Sequence, residues 1–406
     1  MFKTNNSALF FIFLTVVIDT IGLGIIIPVI PGLIRELIDG DLSEASRYGG
    51  WLMFSYAFTQ FIFASVLGNL SDRFGRRPVL LISLLGFCIN YTLMGFATSI
   101  LWLFIGRLVA GITGASHTVA AAYIADVSTP DRKAQNFGLL GAAFGLGFII
   151  GPVIGGILGQ YGTRIPFFAA GALSLLNLLY GYFVVPESLK VEDRREFSWK
   201  NANPIGTFNY IKNFPQIHTL AICIFLINLA AHAIQSTWSY YTMEAFDWDE
   251  RTVGLSLGFI GALAAIVQAG LIRLIIPKIG LPKAVLIGLI FYSISMVAMG
   301  ISINTTTMFA SGAIYALGGI AGPAIQGLIS NLTPNNEQGR IQGGIASIIS
   351  LTAIIGPLMM TNLFYTFTKK GTTVYFPGAP FIMGSILSLV AAIIAFLYFR
   401  KPKLSE

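Results

Sequence analysis

Charge is what this chain has least of. Lys, Arg, Asp and Glu together make up 11% of its 406 residues, where a soluble protein carries about 25%, so an ordinary water-facing fold is excluded. Histidine occurs three times and cysteine twice. Cys88 and Cys223 both sit in apolar runs and read as small hydrophobes, not as a disulfide or a metal pair. The chain has no Walker loop for a nucleoside triphosphate and no His-Glu-x-x-His pair for zinc. Gly254-Leu-Ser-Leu-Gly258 matches the nucleophile-elbow pattern, but it opens an apolar helix and lacks the strand-to-helix turn and His partner that the motif needs. Neither an enzyme, a metal site nor a bound cofactor is expected.

What fills the chain is apolar. Mean hydropathy is +0.76, and apolar runs bounded by loop signals predict twelve spans at 8–34, 48–70, 78–97, 100–123, 136–160, 165–185, 216–243, 252–276, 281–301, 306–331, 340–366 and 379–399. Each is long enough to cross a bilayer. Asp19 interrupts the first run and no small-residue cleavage site follows, so the first 30 residues predict a retained helix and not a signal peptide. The polar segment 186–215, with Pro186, Pro204 and Pro215, predicts a cytoplasmic linker between an N-terminal bundle (1–185) and a C-terminal bundle (216–406). The fold class is therefore an all-α membrane protein of twelve transmembrane helices in two six-helix bundles. Of 25 Lys and Arg, 18 fall at the termini and in alternate loops, six in the opposite loops, and Arg107 inside a span. That asymmetry places both termini in the cytoplasm. It also assigns the net charge of +7 to orientation and not to nucleic acid.

Between the second and third spans lies a dense cluster, Gly68-Asn-Leu-Ser-Asp-Arg-Phe-Gly-Arg-Arg-Pro78. Gly68 and Gly75 let the backbone turn and approach a neighbour, Pro78 can start the next helix, and Asp72 stands four residues before Arg76, the spacing of a helix-end ion pair. Asp126, at the end of span four, is a candidate third member of a relay that latches the two bundles. Gly270-Leu-Ile-Arg-Leu-Ile-Ile-Pro-Lys-Ile-Gly280 occupies the matching loop of the second half, without an acid where Asp72 stands. Weak duplication of this kind is expected of carriers with a site at the midplane between two rocking halves.

Spans one, four, five and seven carry residues that an ordinary lipid-facing helix has no need of. Asp19 near the middle of span one costs about 2.5–3.5 kcal/mol on insertion scales, and its titratable carboxyl makes it the candidate proton carrier. Arg107 is the one base well inside a helix, with Gly111, Gly114 and Thr118 on its face. Span five holds Gly138, Gly147, Gly151-Pro152 and Gly155-Gly156, a spacing that predicts tight backbone packing and a kink. In span seven Asn228, His232, Gln235, Ser236 and Ser239 share one face, which predicts a wall of a substrate cavity joined by Gln60, Asn90, His117 and Gln326. Mostly neutral polar groups among aromatics suit a weakly charged organic ligand better than a dication.

At the 68–78 loop the chain resembles the signature loop of the major facilitator superfamily. Gly106-Arg-Leu-Val-Ala-Gly-Ile-Thr-Gly-Ala115 resembles its span-four motif, whose arginine is linked to proton transfer, and the span-five spacing resembles the antiporter signature of its drug-efflux branch. Asp19 through Pro31, Gln60, Arg107 and Pro323-Ala-Ile-Gln-Gly327 resemble the tetracycline-resistance type of drug:proton antiporter. The resemblance implies alternating access, export of a small molecule against inward proton flow in the bacterial inner membrane, and a monomer with no partner beyond substrate, protons and lipid. Three positions depart from that type: Asn90 and Tyr292 stand where it is acidic, and Ala264 where it has a histidine. These departures put tetracycline itself in question, and they leave facilitative or proton-driven uptake, or a receptor-like role, as alternatives on the same fold.

Overall fold

The computed structural model describes residues 3–129, 132–197, 214–334 and 337–400, without the side chains of 3–7, 133 and 134. Of the predicted linker, residues 198–213 lie outside the described residues. Helices dominate because hydrocarbon offers the backbone no partner, so each N–H and C=O must be satisfied within its own segment. Among the described residues there are twelve helical stretches long and apolar enough to cross a membrane, and no strand. The helices of the first half are α1 (Lys3–Ile25), α2 (Ile30–Ile38), α3 (Leu42–Phe74), α4 (Arg76–Gly95), α5 (Ile100–Thr113), α6 (Ser116–Val127), α7 (Lys133–Gly159) and α8 (Ile165–Val184). In the second half they are α9 (Pro215–Phe246), α10 (Glu250–Ile266), α11 (Ile272–Ile279), α12 (Leu281–Gly300), α13 (Thr305–Gly318), α14 (Ala321–Asn331), α15 (Gln338–Thr368) and α16 (Ala379–Arg400).

Four predicted spans are not single regular helices. The first ends at Ile25, turns through residues 26–29 and resumes as α2 with Pro31 in its first turn. Span four breaks at Gly114 and Ala115 between α5 and α6, where Gly114 leaves helical geometry at φ −73° and ψ 56°. Span ten breaks between α13 and α14 at Gly319 and Ile320. Hydrophobic runs cannot reveal such breaks, because the run continues through them. A π turn at Val267–Leu271 joins α10 to α11 in span eight.

The breaks in spans four and ten fall at matching places in the two halves, and the loops match as well. Gly75 (φ 107°, ψ 160°) opens α4 and Gly280 (φ 78°, ψ 160°) opens α12. Both occupy left-handed space that favours glycine, which is why both halves keep glycine there.

The chain packs as two compact units, residues 1–40, 55–203 and 249–258 in one and 41–54, 204–248 and 259–406 in the other. In the first, α1 packs on α7 and α4 on α8 around Ile12, Val16, Leu80, Leu84, Val119 and Tyr123. Arg164 ties one end of this unit together, donating to Glu36 Oε1 (2.8 Å) and to the carbonyls of Gly95 (3.1 Å) and Ala97 (2.6 Å). That bond holds the Glu36 carboxyl below its ordinary value. In the second unit α9 is the axis, packed on α15 and α16 with Leu220, Ile224, Leu289, Ile325 and Ile341 buried around it.

Candidate functional site

The turn between α3 and α4 gathers charge as the spacing predicts. Arg76 is buried, and its guanidinium donates to Asp72 Oδ1 (2.5 Å), Ser71 Oγ (2.8 Å) and Asp126 Oδ2 (3.0 Å). Asp126 reaches the cluster because α6 ends beside the α3–α4 turn. Gly68, by contrast, is not a point of close approach: an added Cβ would meet Thr118 at 3.8 Å.

Sequence reasoning missed the residue that caps this cluster. Glu187, just past α8, accepts from the backbone N–H of Arg76 (2.8 Å), Arg77 (3.1 Å) and Leu189 (3.0 Å). A carboxylate at the start of α4 satisfies helix donors that otherwise have no partner and favours the helix dipole. Ser188 donates to Asp126 (3.0 Å), Tyr123 to the Pro186 carbonyl (3.0 Å) and the Arg195 N–H to the Asp72 carbonyl (3.0 Å). The start of the predicted linker is thus part of the cluster. The only available signal was an acid, Glu187, at the head of a basic segment.

A second cluster forms within the span region of the same unit. Ser116 sits in the first turn of α6, directly after the break in span four, and its hydroxyl donates to Asp19 Oδ2 at 2.5 Å. Asp19 Oδ1 is buried without a partner among the described residues. Thr15, one turn before Asp19, does not pair with it; its own Oγ1 is also unpartnered, and its carbonyl accepts from Asn177 (2.9 Å). Gln60 holds the broken helix end, donating to the Gly114 carbonyl (3.0 Å) and to Tyr56 Oη (2.9 Å). Gly111 lets α3 come close, since a Cβ there would fall 1.8 Å from Thr59 Oγ1 and 2.6 Å from the Tyr56 carbonyl.

Arg107 is buried and has no ion pair among the described residues. It lies 5.9 Å from the centre of the Tyr56 ring and donates to Met94 Sδ (2.9 Å); with the Asn90 amide turned to match its neighbours, its oxygen accepts from Arg107 (3.1 Å) and its nitrogen donates to the Gly106 carbonyl (2.9 Å). Asn90, expected in the substrate wall, also anchors Arg107. Tyr56 and Tyr91 lie within electrostatic reach of both Asp19 and Arg107.

The span-five signature divides along α7. Gly147, Gly151 and Gly155 lie against Thr20, Gly24 and Ile25 of α1, so closely that a Cβ on any of them would come within 3.0 Å of α1 backbone. Gly156 meets the backbone of Glu250 and Gly254 at the start of α10, and Pro152 lies inside the helix. Gly138 has nothing within 4 Å, so the uniform tight packing predicted for the motif holds for its second part alone.

The residues of the predicted polar wall have different surroundings, each within its own unit. His232 is buried with its ring against Gly356 of α15, where a Cβ would fall 2.2 Å from it, so it belongs to the α9–α15 seam. Ser236 donates to the His232 carbonyl (2.5 Å) and Asn228 to the Ile224 carbonyl (2.9 Å), while Ser239 is buried. Gln235 and His117 are exposed, and His117 sets its ring edge-on to Phe144 at 4.8 Å. Gln326 keeps a buried, unpartnered Oε1 on α14. Tyr292 packs on Gly318 and against Tyr315, ring centres 4.8 Å apart. No group of three or more His, Cys, Asp or Glu that could hold a metal occurs among the described residues.

The model of the Major Facilitator Superfamily matches residues 12–284 and 220–406. The chain is 39% identical to the class C tetracycline resistance protein of Escherichia coli, covering 95% of this chain and 96% of that one. It is 36% identical to the class B protein of the same organism, over 88% and 89%. Among solved structures it resembles the human organic anion transporter MFSD10 (TM-score 0.72, 21% identity, 96% and 99% covered). It also resembles a bacterial homologue of the lysosomal transporter Spinster (TM-score 0.79, 16% identity, 97% and 96% covered). With twelve spans, a buried Asp19, the Arg76 cluster and full-length similarity to these relatives, the chain belongs to the major facilitator superfamily and, within it, to the tetracycline-resistance-like type of membrane transporter.

Proposed function

We propose that the protein exports a small organic molecule in exchange for protons, by alternating access of an N-terminal bundle (1–185) and a C-terminal bundle (216–406). It works in the bacterial inner membrane as a monomer with both termini cytoplasmic, drawing on the proton gradient and no bound cofactor. The observation that carries this reading is Asp19. A carboxyl buried in a span, with one oxygen held by Ser116 and the other without a partner among the described residues, is placed to gain and lose a proton. Because Ser116 follows the break in span four and Gln60 holds that break, a change in the Asp19 carboxyl is felt directly at a joint in the backbone. Arg107, whose guanidinium faces the Tyr56 ring at 5.9 Å, supplies fixed positive charge in the same unit.

The relatives' names point to tetracycline, and the same class of amphipathic, ring-bearing compound suits this chain. Asn90 is committed to Arg107 and Tyr292 to Tyr315, so neither replaces the carboxylates that a hard dication wants; substrate is taken without magnesium. The test is uphill uptake of a drug panel, tetracycline included, by inside-out vesicles carrying the protein or Asp19→Asn, with protonophore and with chelator as separate arms. Expected are accumulation that the protonophore abolishes and the chelator leaves intact, and none in Asp19→Asn. Undiminished accumulation in Asp19→Asn overturns the proton role, and loss of accumulation with chelator overturns the metal-free reading.

A further inference from the structure

Away from the Asp19 and Arg76 clusters, the second unit carries an apolar groove with an unused charge at one end. It runs between the early turns of α3 and the second half of α15, has a volume of about 540 Å³, and is lined by Phe54, Ile355, Leu358, Met359, Asn362 and Thr366 among others. That volume is in the range of small-molecule sites, roughly 300–1,000 Å³. Asn362 spends its amide on the Leu358 carbonyl at 2.7 Å, which leaves the lining apolar in effect.

Following the same two helices to their paired ends leads to Tyr365. The Arg47 guanidinium lies 5.4 Å and the Lys369 ammonium 5.6 Å from the centre of its ring. Each cation faces the ring, and among the described residues neither has a carboxylate partner. The acids nearby do not serve them. Asp41 is engaged by Lys370 at 3.8 Å, and Glu44, one turn before Arg47, forms no ion pair with it. Both Arg47 and Lys369 are exposed.

Unpaired positive charge at the end of an apolar groove is complementary to a molecule with an anionic head and a hydrocarbon tail. In a chain that spans a bilayer, this molecule is at hand in the membrane itself. We propose that the groove is a binding site for an anionic phospholipid, with one acyl chain along α15 and the phosphate between Arg47 and Lys369. A basic residue near anionic lipid headgroups gains roughly fivefold in binding on the scale known for basic segments at anionic membrane surfaces. Lipid bound here would brace α3 against α15, a seam already drawn close by Gly50, whose Cβ would fall 2.0 Å from Thr361 Oγ1.

Trp51 supplies the readout, being exposed and edge-on to Phe54 at 5.4 Å. The full-length protein is reconstituted in phosphatidylcholine vesicles containing a small share of either dibrominated phosphatidylglycerol or dibrominated phosphatidylcholine. The Trp51 contribution is taken as the difference from Trp51→Phe. Quenching by the phosphatidylglycerol should exceed that by the phosphatidylcholine at least fivefold in apparent affinity, and the preference should vanish in Arg47→Gln/Lys369→Gln but persist in Arg47→Lys/Lys369→Arg. Equal quenching by the two lipids, or a preference that survives removal of both charges, overturns the site. So does relief of quenching by millimolar inorganic phosphate, which would mean an anion site without a lipid requirement.

Discussion

The seam between α1 and α7 makes opposite demands on glycines that look alike in sequence. At Gly155 an added methyl would lie 2.0 Å from the Ile25 carbonyl oxygen, 2.7 Å from its carbon and 2.8 Å from its Cα. All three are backbone, so no side chain can swing aside, and the helices must separate by more than an ångström. Overpacking of this kind costs about 1–3 kcal/mol, and backbone contact places Gly155→Ala at the upper end. Alanine's better helix propensity returns at most about 1 kcal/mol, leaving a net loss of about 1–2 kcal/mol. At Gly141 nothing lies within 4 Å, so only the propensity gain remains and Gly141→Ala should stabilise by about 0.5–1 kcal/mol. Thermal unfolding in detergent, followed by a thiol-reactive dye that reaches the buried Cys223 only on opening, reads both signs. A Gly155→Ala protein that melts at or above the parent would refute the packing argument, as would a Gly141→Ala protein that falls as far.

Two further expectations concern charge. Arg76→Lys keeps the positive charge that sets orientation but cannot supply the three-way fork to Ser71, Asp72 and Asp126; losing even one charge-assisted bond, about 1.5–3 kcal/mol, should lower transport about tenfold or more with normal insertion. Parental transport in Arg76→Lys would reduce the cluster to an orientation signal. Glu36 is held below its ordinary value of 4.5 by Arg164, so its contribution to stability is complete above that value and fades as pH falls through the lower, folded value. The melting difference between the parent and Glu36→Gln, measured from pH 7 downward, should therefore shrink below about pH 4.5, and a difference that grows with acid would contradict the pairing.

Which of these features the sequence disclosed follows from how local their causes are. Twelve spans were legible because a bilayer imposes a length and a composition on each segment separately, and the Asp72–Arg76 pair because four residues on a helix are neighbours wherever the helix goes. The paired Gly75 and Gly280 turns likewise answer to local backbone geometry. Other features depend on what another segment brings. Asp19 was readable as an oddity in lipid, yet its partner Ser116 is 97 residues away, and Glu187 reaches Arg76 across 111. Asn90 and His232 stand out in sequence as polar groups in apolar runs; only the tertiary structure shows that one pairs with Arg107 and the other packs in the α9–α15 seam. The span-five glycines make the distinction plainest. Their spacing is a property of the chain, but whether each is crowded or open depends on where α1 and α10 pass, and only the packed structure decides that.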